Sequence, residues 1–296
     1  MNFKYEYQKR VEYIEAILRK YLPKQEGHQK IIMEAMEYSL MAGGKRLRPM
    51  LMWESFCLFR GEGEIIEPFM AAIEMIHTYS LVHDDLPAMD NDEYRRGRKT
   101  THVVYGEDMG ILAGDALLNY AFETACRAFD IAPENSRRIG EALKILSGKA
   151  GIYGMIGGQV VDVKESGHGP TGDLLDFIYR LKTSALIESS MMIGAVLAGA
   201  EAEEIGRMET IARKIGLAFQ IQDDILDITS TTEVLGKSVY SDEKNEKTTY
   251  VTWKGLEASK EEVALMTDEA VRELSLIREN CGFLEELLKS LVYREK

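Results

Sequence analysis

The sequence predicts an all-α protein. Apolar residues recur at helical spacing along most of the 296 residues, and no long stretch alternates apolar and polar residues as a half-buried strand does. The chain has only six prolines, and none follows Pro170, which suits long uninterrupted helices. We expect no β-hairpin, because no turn dipeptide separates β-branched runs. We expect one domain over residues 1–296, because no repeat or Pro- or Ser-rich linker divides them.

Proline and glycine mark the ends of several predicted helices. Pro23 follows the first apolar pattern, and Gly43 with Gly44 follows the second, as helix stop signals do. Pro49 and Pro68 suit a first helical turn. The predicted helices span 11–22, 29–41, a segment from about 49, 68–83, 108–129, 137–150, 173–199, 204–229 and 259–294. The most irregular segments, which we expect to be loops over helix ends, are 87–107, 164–172 and 230–250.

Composition excludes several classes of function. The formal net charge is −13, so a nucleic-acid surface is not expected. An anionic small substrate requires locally concentrated cations or recruited metal ions. The three cysteines are scattered without a CxxC pair, which argues against disulfides and structural zinc and favours the cytoplasm. We expect neither a signal peptide nor a transmembrane segment, because no continuous apolar stretch is long enough.

The first acidic cluster is Asp84, Asp85 and Asp90, within HDDLPAMDNDEYRRG directly after an apolar helix. Six residues separate Asp84 from Asp90, which would put them on opposite sides of a regular helix. Pro87 lies between them, and proline disfavours a continuing helix. We therefore predict that the helix ends near Pro87 and that Asp90 folds back towards Asp84.

The second acidic cluster is Asp223, Asp224 and Asp227, in FQIQDDILD. The i, i+4 spacing places Asp223 and Asp227 on one helical face, with Gln220 and Asp224 on the neighbouring stripe. A single such pair is also compatible with a solvated helix end, but three unpaired carboxylates beside an apolar core are unfavourable. Mg²⁺ suits them, because it takes carboxylates together with water and substrate phosphates. Calcium in an EF-hand does not, since the loop D-x-[DN]-x-[DN]-G is absent.

Basic residues lie close to both acidic clusters in the sequence. Carboxylates that hold Mg²⁺, with Arg and Lys opposite, form a clamp for a diphosphate. The crowded charges between positions 81 and 98 should then need a polyanion and a metal between them, so that they are strained without one. The basic residues are Lys45, Arg46 and Arg48 in GGKRLRP, Arg95 and Arg96 after the first acidic cluster, and Lys237 and Lys247 after the second.

These motifs together resemble the trans-prenyltransferase (polyprenyl synthetase) family. GGKRLRP, HDDLPAMDNDEYRRG, GDALL, KTSALI, FQIQDDILD and a later GK…K-x-TYV occur in the family's order over roughly positions 40 to 255. The pair of aspartate-rich motifs is specific, and the chain looks most like the bacterial short-chain synthases that make farnesyl diphosphate. The resemblance implies an all-α bundle around a deep central cavity, a cytoplasmic homodimer, and condensation of isopentenyl diphosphate with an allylic diphosphate.

The resemblance assigns metal ligands position by position. It implies that Asp84, Asp90 and Asp223 hold three Mg²⁺ ions. The supporting carboxylates, acting directly or through water, are Asp85, Asp224 and Asp227.

The resemblance also assigns residues to the binding sites of the two substrates. Lys45, Arg48, His77 and Arg96 resemble the isopentenyl diphosphate site. Arg95, Lys182 and Lys237 resemble the residues that hold the allylic diphosphate, and Lys247 resembles a lysine of the segment that closes over the substrates. The backbone carbonyls of Lys182 and Thr183 and the amide of Gln220 resemble oxygens that stabilise an allylic cation.

Two residues have competing interpretations. A lone histidine on an apolar helix is often a core residue whose hydrogen bonds are made within the protein. His77, however, lies two turns before Asp84 on nearly the same face, which favours a role in substrate binding. Tyr79 lies five residues, roughly 7.5 Å, before Asp84. A ring at that depth would close the space for a growing chain, although it is also compatible with an ordinary core aromatic. Together with the small Ser80, it favours a fifteen-carbon product.

Other functions remain open at this point. Geranylgeranyl diphosphate synthase is the first alternative. A terpene cyclase also ionises allylic diphosphates, but it needs no second diphosphate site such as GGKRLRP. A non-catalytic partner subunit should have lost one aspartate cluster, and this chain has both.

Overall fold

The computed structural model describes residues 2–165, 172–229, 248–278 and 282–292. These residues are almost entirely helical, with one sheet of two short strands, so the predicted all-α class is confirmed. Lys237 and Lys247 lie outside the described residues.

The chain divides into two compact units. Unit 1 comprises Met1–Trp53 and Gly61–Leu143, and unit 2 comprises Glu54–Arg60 and Lys144–Lys296. The single domain expected from the sequence stays a prediction.

The first ten helices and strands run up to residue 150, and two of them, α3 and α8, have residues in both units. A 3₁₀ turn covers Pro133–Asn135 before α8. The elements are α1 (Phe3–Tyr21), α2 (Lys30–Leu40), α3 (Leu47–Leu58), α4 (Glu67–Asp84), β1 (Tyr94–Arg95), β2 (Arg98–Lys99), α5 (Thr101–Tyr105), α6 (Glu107–Cys126), α7 (Ala128–Ile131) and α8 (Ser136–Ala150).

Helix α4 is the core of unit 1. Pro68 lies in its first turn, and most of its residues are buried. It packs on α6, where Gly114 of GDALL makes room for the His83 ring: a Cβ at this glycine would lie 2.0 Å from His83 Nε2. That nitrogen lies 3.0 Å from the Ile111 carbonyl oxygen. Because a carbonyl only accepts, Nε2 carries the proton.

A short β-hairpin contradicts the prediction that there is none. Strands β1 and β2 pair Arg95 with Arg98, which leaves Arg96 and Gly97 as a two-residue loop. Both loop residues have positive φ, +53° and +73°, as a type I′ turn requires. The signal was missed because the strands are very short and the first loop residue is arginine instead of Asn, Asp or Gly.

Unit 2 carries the remaining helices. The predicted helix 173–199 is confirmed as one continuous helical stretch, although its centre, Tyr179–Ser184, is π-helical. The predicted helix 259–294 is wrong. It is divided by extended backbone at Arg278, and its second part starts at Gly282 with φ +44°. The elements are α9 (Met155–Glu165), α10 (Gly172–Ile178), α11 (Ala185–Ala198), α12 (Ala202–Thr229), α13 (Tyr250–Lys254), α14 (Leu256–Ile277) and α15 (Gly282–Val292).

Two glycines allow neighbouring helices to approach the π-helical segment closely. A Cβ on Gly158 of α9 would lie 2.3 Å from the Lys182 backbone nitrogen, and one on Gly216 of α12 would lie 2.4 Å from Ser184 Oγ. The contact between α9 and the π-helical segment therefore requires glycine at position 158. Helix α9 was not predicted from the sequence, because glycines are frequent around it. π-Helical segments are rare and are frequent at functional sites.

The segment Gly172–Ala198 is long and apolar enough, by length and composition, to cross a membrane. Of its most apolar window, 72% is buried inside the protein, which is typical of a core helix. The absence of a transmembrane segment therefore stays a prediction.

Replacing Gly216 by alanine should destabilise the fold by about 1–3 kcal/mol, because the added methyl group overpacks the contact with the π-helical segment. Gly206 is the matched control, since it lies on the same helix and a Cβ there meets nothing within 4 Å. Gly206→Ala should stabilise the fold by roughly 0.4–1 kcal/mol. Chemical denaturation measures both, and equal free energies of unfolding for the two variants would contradict the packing described here.

Candidate active site

The first acidic cluster lies where helix α4 ends. The helix stops at Asp84, before Pro87, and the chain then turns back. The Asp90 N–H donates to the Asp84 carbonyl oxygen at 2.9 Å, and the Asp92 N–H donates to the Asp85 carbonyl oxygen at 3.2 Å. The predicted helix break is confirmed, and it brings the backbone of Asp90 beside that of Asp84.

Asp85 and Arg95 pair directly. Arg95 Nε and Nη2 lie 2.7 and 2.6 Å from the same Asp85 oxygen, and the hairpin turn places the arginine there. Burial raises the pKa of Asp85 above its usual range, although the arginine opposes this shift. The ion pair partly compensates these two charges, and the expected strain of the crowded segment stays a prediction.

Arg96 turns away from Arg95 and lies against the Gly43–Gly44 turn. Its Nη1 donates to the Gly43 carbonyl oxygen. Gly44 has φ +124°, and a Cβ there would lie 2.5 Å from the Arg96 guanidinium. Adjacent arginines of the RRG sequence thus serve two different places: Arg95 meets the acidic cluster, and Arg96 meets the basic GGKRLRP turn.

Arg46 of that turn has a structural role that the sequence did not reveal. Its side chain is fully buried, and Nη1 donates to Glu74 Oε1 at 3.0 Å. Its Nη2 lies 3.4 Å from Glu15 Oε1. Arg46 therefore faces into unit 1, and only its position next to Lys45 had marked it as a candidate for the diphosphate clamp.

Arg48 and His77 lie in a strongly cationic environment. Desolvation lowers the pKa of Arg48 to about 10, with Glu74 opposing and Arg96 adding to the shift. The Arg48 Nε is buried and has no hydrogen-bond partner among the described residues. Desolvation, together with four nearby arginines, lowers the pKa of His77 well below 6.5, so this ring is neutral at physiological pH. We call these arginines the guanidinium cluster: Arg46, Arg48, Arg95 and Arg96.

Lys45 completes the basic turn at the surface. Its side chain is exposed, while its carbonyl oxygen accepts a hydrogen bond of 2.7 Å from the Tyr7 hydroxyl. Burial and the charge of Glu74 raise the pKa of Tyr7 to about 12, so the hydroxyl keeps its proton and the bond persists.

The second acidic cluster is embedded in unit 2. Asp224 and Asp227 are buried, and Asp223 is partly exposed. Asp224 Oδ2 accepts the Tyr179 hydroxyl at 2.5 Å and the Tyr250 N–H at 2.8 Å. This carboxylate therefore joins α12 to the π-helical segment and to the first turn of α13.

The π-helical segment carries the other predicted residues of unit 2. The Thr183 hydroxyl donates to Gln220 Oε1 at 2.8 Å, so these two predicted residues do come together. Lys182 Nζ lies 2.6 Å from Asp162 Oδ2. Asp162 was missed, since its only signal is a carboxylate in the glycine-containing helix α9.

Tyr79 is buried on α4, with 5% of its surface exposed. Its hydroxyl is buried without a hydrogen-bond partner in the part of the chain that the structure describes. Burial and the charge of Asp84 raise its pKa to about 12, and its ring packs edge-on against His83 at 5.9 Å between centroids. The neighbouring Ser80 hydroxyl donates to the His77 carbonyl oxygen at 2.8 Å.

The donor sets fit magnesium that binds together with a diphosphate. Within the described ranges, no three His, Cys, Asp or Glu side chains form a ready metal cluster. Mg²⁺ typically takes one or two protein carboxylates and completes its shell with water and phosphate oxygens. Unit 1 offers Asp84 with Asp90, and unit 2 offers Asp223 with Asp227, one turn apart. These carboxylates are of the chemical type that such an ion takes from a protein.

Replacing Gly44 by alanine should displace the Arg96 guanidinium and weaken binding of inorganic pyrophosphate roughly tenfold, the value of about one charged hydrogen bond. Gly43→Ala is the matched control, because Gly43 also has positive φ, +83°, but a Cβ there meets nothing within 4 Å. Titration calorimetry measures both. Equal weakening by the two variants would mean that backbone strain, and not Arg96, matters.

Comparison with known proteins identifies the family. The family model described as polyprenyl synthetase matches residues 29–276. Geranylgeranyl diphosphate synthase of Cyanophora paradoxa is 45% identical over 266 residues, which cover 90% of this chain and 87% of that protein. Farnesyl diphosphate synthase of Geobacillus stearothermophilus is 43% identical over 261 residues, which cover 88% and 87%.

Solved structures show the same relationship. The crystal structure of a geranyltransferase from Helicobacter pylori, complexed with magnesium and isoprenyl diphosphate, aligns with a TM-score of 0.84 at 32% identity, over 99% of this chain and 97% of that one. A farnesyl/geranylfarnesyl diphosphate synthase from Zymomonas mobilis aligns with the same score and identity, over 99% and 98%. The chain therefore belongs to the polyprenyl synthetase family and is a prenyltransferase that makes a prenyl diphosphate.

Proposed function

We propose that this protein is a farnesyl diphosphate synthase, which joins isopentenyl diphosphate to dimethylallyl diphosphate and then to geranyl diphosphate. The observation that carries the proposal is the buried Tyr79 ring on α4, before the first acidic cluster. The farnesyl diphosphate synthase of Geobacillus stearothermophilus is one of the similar proteins.

The guanidinium cluster supports binding of isopentenyl diphosphate in unit 1. Arg48 has a buried Nε without a partner among the described residues, and a diphosphate oxygen would satisfy it. His77 is neutral there, so it donates or accepts a hydrogen bond without adding charge. Lys45 and Arg96 flank the same glycine turn and would complete the set.

The allylic diphosphate would be held by Arg95, Lys182 and Lys237, with Lys247 closing over both substrates. Asp84, Asp90 and Asp223 would hold three Mg²⁺ ions, supported by Asp85, Asp224 and Asp227. When bound, these ions neutralise the departing diphosphate. The ion pairs Arg95–Asp85 and Lys182–Asp162 keep both cations oriented until a diphosphate competes for them.

The reaction would follow from this arrangement. The allylic carbon–oxygen bond breaks, and Arg95 and Lys182 stabilise the charge on the diphosphate that leaves with the electron pair. The Gln220 amide, positioned by the Thr183 hydroxyl, and the carbonyls of Lys182 and Thr183 face the allylic cation. The double bond of isopentenyl diphosphate attacks this cation, and the new tertiary cation loses a proton to the released diphosphate, which restores a double bond.

Tyr79 would limit the length of the product. It lies five residues before Asp84, roughly 7.5 Å along the helix. A chain that grows from the diphosphate meets this ring, and the ring is fixed by burial and by its edge-on contact with His83.

Geranylgeranyl diphosphate synthase is the second candidate. The 45% identity with the Cyanophora paradoxa enzyme of that name favours it.

Purified protein, given Mg²⁺, geranyl diphosphate and labelled isopentenyl diphosphate, should yield farnesol after phosphatase treatment. Tyr79→Ala should shift the main product to geranylgeraniol or longer, because the ring that would stop the growing chain is removed. Tyr79→Phe, which keeps the ring, should still give farnesol. Chromatography of the extracted prenols distinguishes them. Geranylgeraniol from the unaltered protein, or an unchanged profile for Tyr79→Ala, would contradict the proposal.

We also propose a cytoplasmic homodimer. Sedimentation velocity on the purified chain should give one species of about twice 33.4 kDa, and a monomer in the active preparation would contradict this.

A further inference from the structure

Glu74 is a buried acid beside the guanidinium cluster. It lies on α4, with 2% of its surface exposed. Its Oε1 accepts a hydrogen bond of 3.0 Å from Arg46 Nη1, and the side chain of that arginine has no exposed surface. A buried charge is tolerated only with a partner, so the positions of these two side chains depend on each other.

This pair holds a strained stretch of backbone. Arg46 has φ +49° and follows Gly43 at +83° and Gly44 at +124°. A left-handed conformation is unfavourable for arginine and persists only where surrounding contacts impose it. The contact with Glu74 is the closest ion pair of Arg46 in the described structure. It fixes the turn to α4, one helical turn before His77.

Glu74 also acts on the other members of the cluster. Desolvation lowers the pKa values of Arg48 and Arg96, and the charge of Glu74 opposes both shifts. Among the described residues, Glu74 is the acid whose charge opposes the shift of Arg48. The negative charge of Glu74 therefore acts on three guanidinium groups, those of Arg46, Arg48 and Arg96.

We propose that Glu74 is a positioning residue for isopentenyl diphosphate: through Arg46 it holds the GGKRLRP turn so that Lys45 and Arg48 present their cations to the diphosphate. This inference rests on the proposed function, which assigns these side chains to that substrate. It predicts that removal of an acid weakens the binding of an anion, which is the opposite of the usual effect. An acid near an anion site normally repels the anion, so removal of its charge alone would tighten binding. Loss of positioning weakens binding instead.

The test is Glu74→Gln in the full-length enzyme, with steady-state kinetics for both substrates. The KM for isopentenyl diphosphate should rise roughly tenfold or more, the usual effect of removing a group that orients a ligand-binding residue. The KM for geranyl diphosphate should stay within about twofold, since Arg95, its proposed residue in unit 1, forms ion pairs with Asp85 and Asp92 and not with Glu74 in the described structure. An unchanged or lower KM for isopentenyl diphosphate would overturn the inference, as would an equal rise for both substrates.

Two variants make the result specific. Glu15→Gln is the matched control, because Glu15 also faces Arg46 but at 3.4 Å and with 34% of its side chain exposed; it should change neither KM more than about twofold. Arg48→Ala should raise the KM for isopentenyl diphosphate. If Arg48→Ala raises it and Glu74→Gln does not, only the positioning role of Glu74 fails. If Arg48→Ala has no effect, the site assignment fails, and the inference fails with it.

Should Glu74→Gln not fold, Glu74→Asp serves the same purpose. It keeps the charge but shortens the reach to Arg46, so the KM for isopentenyl diphosphate should rise while the KM for geranyl diphosphate does not. A wild-type KM for isopentenyl diphosphate in that variant would show that charge alone suffices, and it would overturn the positioning role.

Discussion

Two acids in and directly after α4, Glu74 and Asp85, are buried, and a buried charge needs a partner. Glu74 is paired with Arg46, Asp85 is paired with Arg95, and His77 remains neutral among the arginines. A polar group buried without a partner costs several kcal/mol. This constraint fixes where the GGKRLRP turn and the RRG hairpin attach, and both motifs consequently lie along one buried helix of unit 1.

In unit 2, a buried acid also has partners, but these are hydroxyl and backbone donors instead of arginines. The Asp224 carboxylate accepts hydrogen bonds from Tyr179 and from the backbone of Tyr250. The π-helical segment approaches α9 and α12 closely because glycines face it there. This packing brings Thr183 beside Gln220 and Lys182 beside Asp162. In the proposed reaction, this packing would hold the oxygens that face the carbocation in place before the reaction starts.

Much of this was predictable from the sequence. Helical periodicity gave the all-α class, and the spacing of Asp84 and Asp90 around Pro87 predicted the end of α4. The motifs identified the family and most candidate residues. Glu74 and Asp162 were not predictable, because no local sequence pattern identifies the partner of a single acid within a helix. The Arg96–Gly97 hairpin was missed because tertiary contacts, and not β-propensity, hold it. The break within 259–294 was missed because periodicity continues on both sides of Gly282.

The central claim is that desolvation, together with the four arginines of the guanidinium cluster, keeps His77 neutral beside the basic turn. Nuclear magnetic resonance titration of the five histidines, with His77→Asn to assign the signal, measures this directly. The account predicts that His77 stays neutral well below pH 6.5, its ordinary midpoint, while it remains folded. A midpoint at or above 6.5 would contradict the account, because the guanidinium cluster would then not surround this ring.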